Sequence, residues 1–207
     1  MLVTFMVSYT WMYSDISVPN ERSRLYLAVA LVDGGTVEID EQLKRWGKIY
    51  DLAERDDHYY SDKAPGSSFL GAAVYFVATQ FKDAREWTIG DLINLMRTWL
   101  MIPFTLIGFF FLRRILNFVG LDPPVVDVVS LAWALGTAAF HYGGAYFGHQ
   151  IVAVSLLVSL YCLMRAEEHI AGSTSTMSKW ALAAGAAAGV AGMTEYQAGI
   201  VCVLLVL

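Results

Sequence analysis

The chain has 207 residues, 57% of them hydrophobic and only 16% charged, with a net charge of −5 and a mean hydropathy of +0.50. That balance excludes an ordinary soluble domain, and the lack of a basic stripe excludes a nucleic-acid binder. The charge is uneven: residues 14–92 hold 14 Asp or Glu and 9 Lys or Arg, which accounts for the whole net charge. The expected class is therefore an all-α, polytopic membrane protein with one acidic extramembrane segment.

Residues 2–13 are apolar, with Trp11 and Tyr13 as interfacial aromatics, and form the first expected span. They lack a positive n-region and a small-residue cleavage site, so no cleavable leader is expected. The run is short for a span of about 20 residues, and a clipped helix is expected. From Glu21 the apolar positions Leu25, Ala28, Val29 and Val32 recur at helical spacing, with Asn20 as the expected N-cap and Gly34-Gly35 as the stop. A helix over 21–33 is too short to cross a bilayer and is expected to lie along its surface.

Residues 36–40 alternate like a brief strand, 41–50 suit a short helix, and 51–57 read as a solvated charged stretch. The segment Tyr59-Tyr60-Ser61-Asp62-Lys63-Ala64-Pro65-Gly66 then places aromatics, both charges and a Pro-Gly turn just before the apolar run 67–81. Further spans are expected at 92–112, 125–147, 151–164, 180–193 and 198–207, the last incomplete. Arg113-Arg114 and Arg165 set cytoplasmic ends by the positive-inside rule. That alternation closes only if 67–81 stays on the outer surface as a second juxtamembrane helix. The domains expected are thus a first transmembrane helix over 1–13, an outer loop over 14–91 and transmembrane helices 2 to 6 over 92–207. Because residues 200–207 end inside an apolar run, the chain is expected to be the N-terminal portion of a longer protein.

Three stretches together carry a family resemblance: Pro19-Asn20-Glu21-Arg22-Ser23-Arg24-Leu25, then Asp33-Gly34-Gly35-Thr36, then the segment 59–66. In order and spacing they resemble the first outer loop of GT-C membrane glycosyltransferases, closest to glycosyltransferase family 39 and the aminoarabinose transferases of lipid A. The resemblance covers about the first 115 residues; beyond them it is one of general character. It implies a transferase of the cell membrane, multi-pass, that passes a sugar from a polyprenyl-phosphate carrier to a lipid, glycan or protein hydroxyl. Transfer would occur on the periplasmic or extracytoplasmic face with inversion of the anomeric centre. The implied partners are the lipid-linked donor and membrane lipid, with no nucleic acid and no cofactor beyond the donor.

Such a reaction needs a carboxylate to take the acceptor proton and a cation for the departing phosphate. Where the family has Asp then Glu, this chain has Asn20 then Glu21, and Asn cannot act as a base. The base role therefore falls to Glu21 first, with Asp15 and Asp62 as the other candidates, and Lys63 is the expected phosphate contact. Glu21 equally suits a helix N-terminus, where the dipole favours a carboxylate by about 0.3–1 kcal/mol.

Arg97 is placed to snorkel at the outer end of its span or to meet a phosphate. Tyr59 and Tyr60 are belt anchors or stacking surfaces for a sugar ring. His141, Tyr142, His149 and Glu195 gather at outer turns and are further substrate-contact candidates. No metal site is expected, since the eight-residue histidine spacing matches no common ligand pattern. Cys162 and Cys202 lie in apolar runs and read as packing residues. The alternative functions are a transporter or flippase of a lipid-linked or small polar substrate, and a non-catalytic membrane fragment. Discontinuous helices with deep functional charges would mark a transporter, and the chain has almost none between its interfaces.

Overall fold

The computed structural model describes residues 2–12, 17–170 and 174–206 and is mostly helical. It divides into two compact units, residues 1–103 with 142–147 and residues 104–141 with 148–207.

In the first unit the organising element is α2 (Pro19–Asp33), preceded by α1 (Leu2–Met12). Proline at the first helical position fixes φ where no amide donor is needed, and the helix stops at Gly34-Gly35, where Gly35 takes φ +60°. Arg24 through Ala30 are all buried. A helix buried on every side is a core helix, and α2, expected as an exposed amphipathic element, is covered by protein over Arg24–Ala30 and runs through the middle of its unit. It packs against α4 (Gly66–Thr79) and also meets α3 (Asp40–Trp46), β2 (His58–Ser61) and α5 (Ile89–Met96). Tyr26, Leu27, Ala30, Ile39 and Ile49 form a core cluster bordered by Trp46, Tyr59 and Ile89. Tyr26 stacks on Trp46 at 5.7 Å and donates its hydroxyl to the Gly47 carbonyl at 3.1 Å.

The expected solvated stretch 51–57 is open to solvent from Ala53 to Asp57, and it also begins a hairpin. β1 (Leu52–Arg55) pairs antiparallel with β2, Leu52 opposite Ser61 and Arg55 opposite His58. Asp56 and Asp57 form the two-residue turn with φ of 54° and 63°, the geometry that matches strand twist and that Asp tolerates. The expected 36–40 strand is reduced to a bridge of Glu38 to Tyr60, supported by Ile39 N–H donating to the Tyr59 carbonyl at 2.9 Å.

Residues Ile89–Phe118 form one 30-residue helix: α5, a π-helical turn at Arg97–Met101, and α6 (Ile102–Phe118). It begins earlier and ends later than the expected 92–112 span. With α9 (Gly148–Glu167), it is one of two helices among the described residues long and apolar enough to cross a membrane. The expected first span is an 11-residue helix, and 67–81 becomes the 14-residue α4.

The expected 125–147 span is corrected. It is broken into α7 (Pro123–Gly136) and α8 (Ala138–Gly143) at Thr137, whose backbone is extended. The Thr137 hydroxyl donates to the Trp133 carbonyl at 2.6 Å and accepts from the Ala139 N–H at 3.1 Å, closing one helix and opening the next.

In the second unit α9 packs along α10 (Thr174–Thr194), and α11 (Ala198–Val206) follows. α10 has the length of a span, but its Ala- and Gly-rich sequence does not place it with Ile89–Phe118 and α9 as apolar enough to cross a membrane. Small residues allow close approach: Ala184 is buried and its carbonyl accepts from Ser159 at 3.0 Å. At Gly108 a Cβ would lie 2.6 Å from Val154 and 2.8 Å from Trp133. Both cysteines are free, Cys162 being buried.

Candidate functional site

The first two turns of α2 present three polar side chains to three different parts of the first unit. Glu21, 1% exposed, is held by a two-pronged contact from Arg97: Nε to Oε1 at 2.9 Å and Nη2 to Oε2 at 2.7 Å. The Tyr146 N–H donates to Oε1 at 2.8 Å and the Val18 N–H to Oε2 at 3.4 Å. Both carboxylate oxygens are thus taken up in a paired, desolvated setting, the geometry in which an arginine fork binds best. Arg97 opens the π-helical turn, so the widened backbone sits where this side chain leaves the helix. It is 5% exposed and packed within protein, which corrects the expectation that it snorkels to a surface.

Next to this pair, Arg24 is 2% exposed; its Nε donates to Asn20 Oδ1 at 3.1 Å and its Nη1 to Ser67 Oγ at 2.8 Å. Asn20, which stands where the resemblance calls for Asp, therefore serves as an acceptor for a buried guanidinium. The Ser67 carbonyl accepts from the Tyr146 hydroxyl at 2.6 Å, and burial holds that phenol well above the usual tyrosine range.

The third side chain, Ser23, joins α2 to the 59–66 segment. Its hydroxyl lies 2.8 Å from that of Ser61 and donates to Asp62 Oδ1 at 3.5 Å. Asp62 Oδ2 lies 3.3 Å from Lys63 Nζ, which also meets Asp51 Oδ2 at 3.2 Å. Unlike Glu21, these charges are partly open to solvent: the Asp62 side chain is 36% exposed and that of Lys63 21%. The cluster therefore offers an accessible carboxylate and ammonium on a frame fixed by buried polar contacts.

Tyr59 packs on the core cluster and accepts from Lys48 Nζ at 3.1 Å, so its ring face is engaged. Tyr60 is half-buried on β2 opposite Glu38. Asp15 and Tyr13 lie outside the described residues. Of the later candidates, Tyr142 meets Phe147 edge-on at 5.7 Å in the first unit. His149 Nδ1 lies 3.7 Å from Glu195 Oε1 in the second, and His141 is exposed on α8. That approach needs Gly148, where a Cβ would stand 2.3 Å from the same Glu195 oxygen.

Sequence reasoning missed Ser23, Arg24, Asp51, Ser67 and the Tyr146 N–H as partners. The run Gly143-Gly144-Ala145 before Tyr146 was the one local sign that the chain leaves helix there. Also in this unit, Glu38, Asp40 and His58 bring one potential ligand atom each within 4.8 Å of the others. Beyond the α4 start, α4 and α5 line an apolar cavity of about 610 Å³ with Val74, Val77, Phe81, Trp87, Leu95 and Trp99.

The fold and site together define a mostly helical protein whose first unit frames an open acid–base pair with two buried arginines. Comparison with family models, curated proteins and solved structures finds no match to the chain.

Proposed function

We propose that the chain is a membrane glycosyltransferase of GT-C type, acting on a polyprenyl-phosphate sugar at the outer face of the membrane. The observation that carries the reading is the convergence of two distant motif stretches: α2 supplies Ser23 to Asp62 and Arg24 to Ser67, 39 and 43 residues away. A lipid-linked substrate needs a polar head site next to an apolar path. The cavity between α4 and α5 begins near Ala73, about 10 Å along the helix from Gly66. A carrier head at Lys63 would leave its tail along that path. Outward apolar side chains on the second unit, among them Val128, Leu182, Ile200 and Leu204, suit a lipid environment and support a multi-pass reading.

In this reading Asp62 is the base, because its carboxylate is accessible, whereas Glu21 would have to surrender the Arg97 fork to accept a proton. Glu21 is a positioning residue that fixes the first turn of α2. The acceptor oxygen attacks the anomeric carbon as its proton passes to Asp62. The bond from that carbon to the phosphate oxygen breaks, and the charge left on the phosphate meets Lys63, whose third N–H is free of Asp51 and Asp62.

The test is transfer from a radiolabelled polyprenyl-phosphate hexose or pentose to lipid in proteoliposomes of the full chain. Asp62→Asn is expected to lower kcat by about 100-fold or more, and Lys63→Ala to raise KM for the donor. Full turnover by Asp62→Asn removes Asp62 from the mechanism. Movement of the intact donor across acceptor-free vesicles, with no transfer, replaces the enzyme by a flippase.

A further inference from the structure

We infer that Glu38, Asp40 and His58 form a divalent-cation site, best matched to Zn²⁺, which clamps the β-hairpin to the start of α3. The site sits where an isolated bridge meets the start of α3. Glu38 is bridged to Tyr60 in antiparallel sense, and Asp40, the first residue of α3, reaches the His58 imidazole of the same hairpin. Ile39 between them points the other way, into the core, where it is fully buried. The pairing that seals the core therefore gathers two carboxylates and an imidazole on its outer face.

The distances suit a metal. His58 Nδ1 lies 3.2 Å from Asp40 Oδ2 and 3.6 Å from Glu38 Oε2. Ligands bound tetrahedrally at 2.0–2.2 Å stand about 3.3–3.6 Å from one another. The other Asp40 oxygen accepts from the Tyr59 N–H at 3.4 Å, an orienting contact of the kind that fixes a ligating carboxylate. One imidazole with two carboxylates is a borderline donor set, suited to Zn²⁺ over Ca²⁺ or Mg²⁺.

A second observation lies beside the cluster. Gln42 is more than nine-tenths buried, and its amide oxygen has no hydrogen-bond partner. It lines a cavity of about 250 Å³ with Glu38, Asp40, Asp33 and Glu41. Two of the three ligands, Glu38 and Asp40, thus border a space that can hold the water of a bound cation, while His58 lies outside that lining.

The experiment is calorimetric titration of the chelator-stripped full chain, in detergent, with ZnCl₂, alongside hydrogen exchange of residues 52–61. One saturable site is expected, weakened about 10-fold or more by His58→Gln and by Asp40→Asn, with slower exchange of the hairpin amides when zinc is bound. The His58 and Glu38 side chains are 49% and 42% exposed, so His58→Gln and Glu38→Gln should keep the wild-type circular dichroism and serve if Asp40→Asn does not fold. No saturation at about 100 µM Zn²⁺, equal affinity in His58→Gln, or unchanged hairpin exchange would each overturn the site.

Discussion

Replacing Glu21 by Gln is nearly isosteric, yet it should be among the most damaging single changes in the first unit. The wild-type carboxylate accepts four hydrogen bonds, two from Arg97 and one each from the Tyr146 and Val18 amides. A glutamine keeps one acceptor oxygen and turns its NH₂ toward donors on the other side. If the NH₂ takes the Oε1 position it faces Arg97 Nε and the Tyr146 N–H; if it takes Oε2 it faces Arg97 Nη2 and the Val18 N–H. Either way a guanidinium that is 5% exposed loses the charge of its Glu21 partner. Removing one partner of a buried ion pair costs about 3–5 kcal/mol, a large share of a typical domain stability of about 5–15 kcal/mol. Arg97→Met should cost a similar amount by stranding the carboxylate. The double variant Glu21→Leu with Arg97→Met should lose less than the sum of the singles, by about 1–3 kcal/mol. Denaturant titrations in detergent, followed by tryptophan fluorescence, measure all three. A loss below about 1 kcal/mol for Glu21→Gln would refute the reasoning, because that is the scale of an exposed pair.

Two further outcomes follow from other contacts. A Cβ on Gly71 would stand 2.1 Å from the Tyr146 hydroxyl, so Gly71→Ala should displace that fully buried ring and release its bond to Ser67. A net loss of about 1–4 kcal/mol is expected after the helix-propensity gain of alanine, measured in the same titration. Asp33 has its carboxyl held above the usual range, by desolvation first and against the hydrogen bond from Tyr75. A raised carboxylate favours the protonated folded form, so wild-type stability falls as pH climbs from the unfolded value near 4 through the folded one. Asp33→Asn should lack that share of the fall, and the variant-minus-wild-type difference in unfolding midpoint should grow between pH 4 and 7. A constant difference would contradict the shift.

Much of the helical layout was legible because its signals are local. Pro19, Gly34-Gly35 and the Pro123-Pro124 start sit at helix ends where their backbone preferences belong. The depth of α2 was not legible: Arg24 and Glu21 look like a polar face until Ser67, Arg97 and Tyr146, all distant in sequence, arrive to bury them. The hairpin was hidden by its acidic turn, since Asp56-Asp57 reads as solvated charge unless its positive φ is known. Thr137 broke an expected span because one hydroxyl can serve two helix ends, which hydropathy does not register. Within the site, the pairing of Asp62 with Lys63 could be read from adjacency. The burial of Glu21 could not, because Arg97 and Tyr146, which enclose it, lie 76 and 125 residues away.

The bond from the Tyr146 N–H to Glu21 also implies an order of assembly. Ribosomes deliver residue 97 well before residue 146, so the ion pair can close while one carboxylate oxygen still waits for its amide donor. Closing a loop of that length is among the slower steps a chain of this size makes. A nascent chain stopped near Pro103 would hold Glu21 half-sealed, and the return of residues 142–147 is the event that locks the first unit shut.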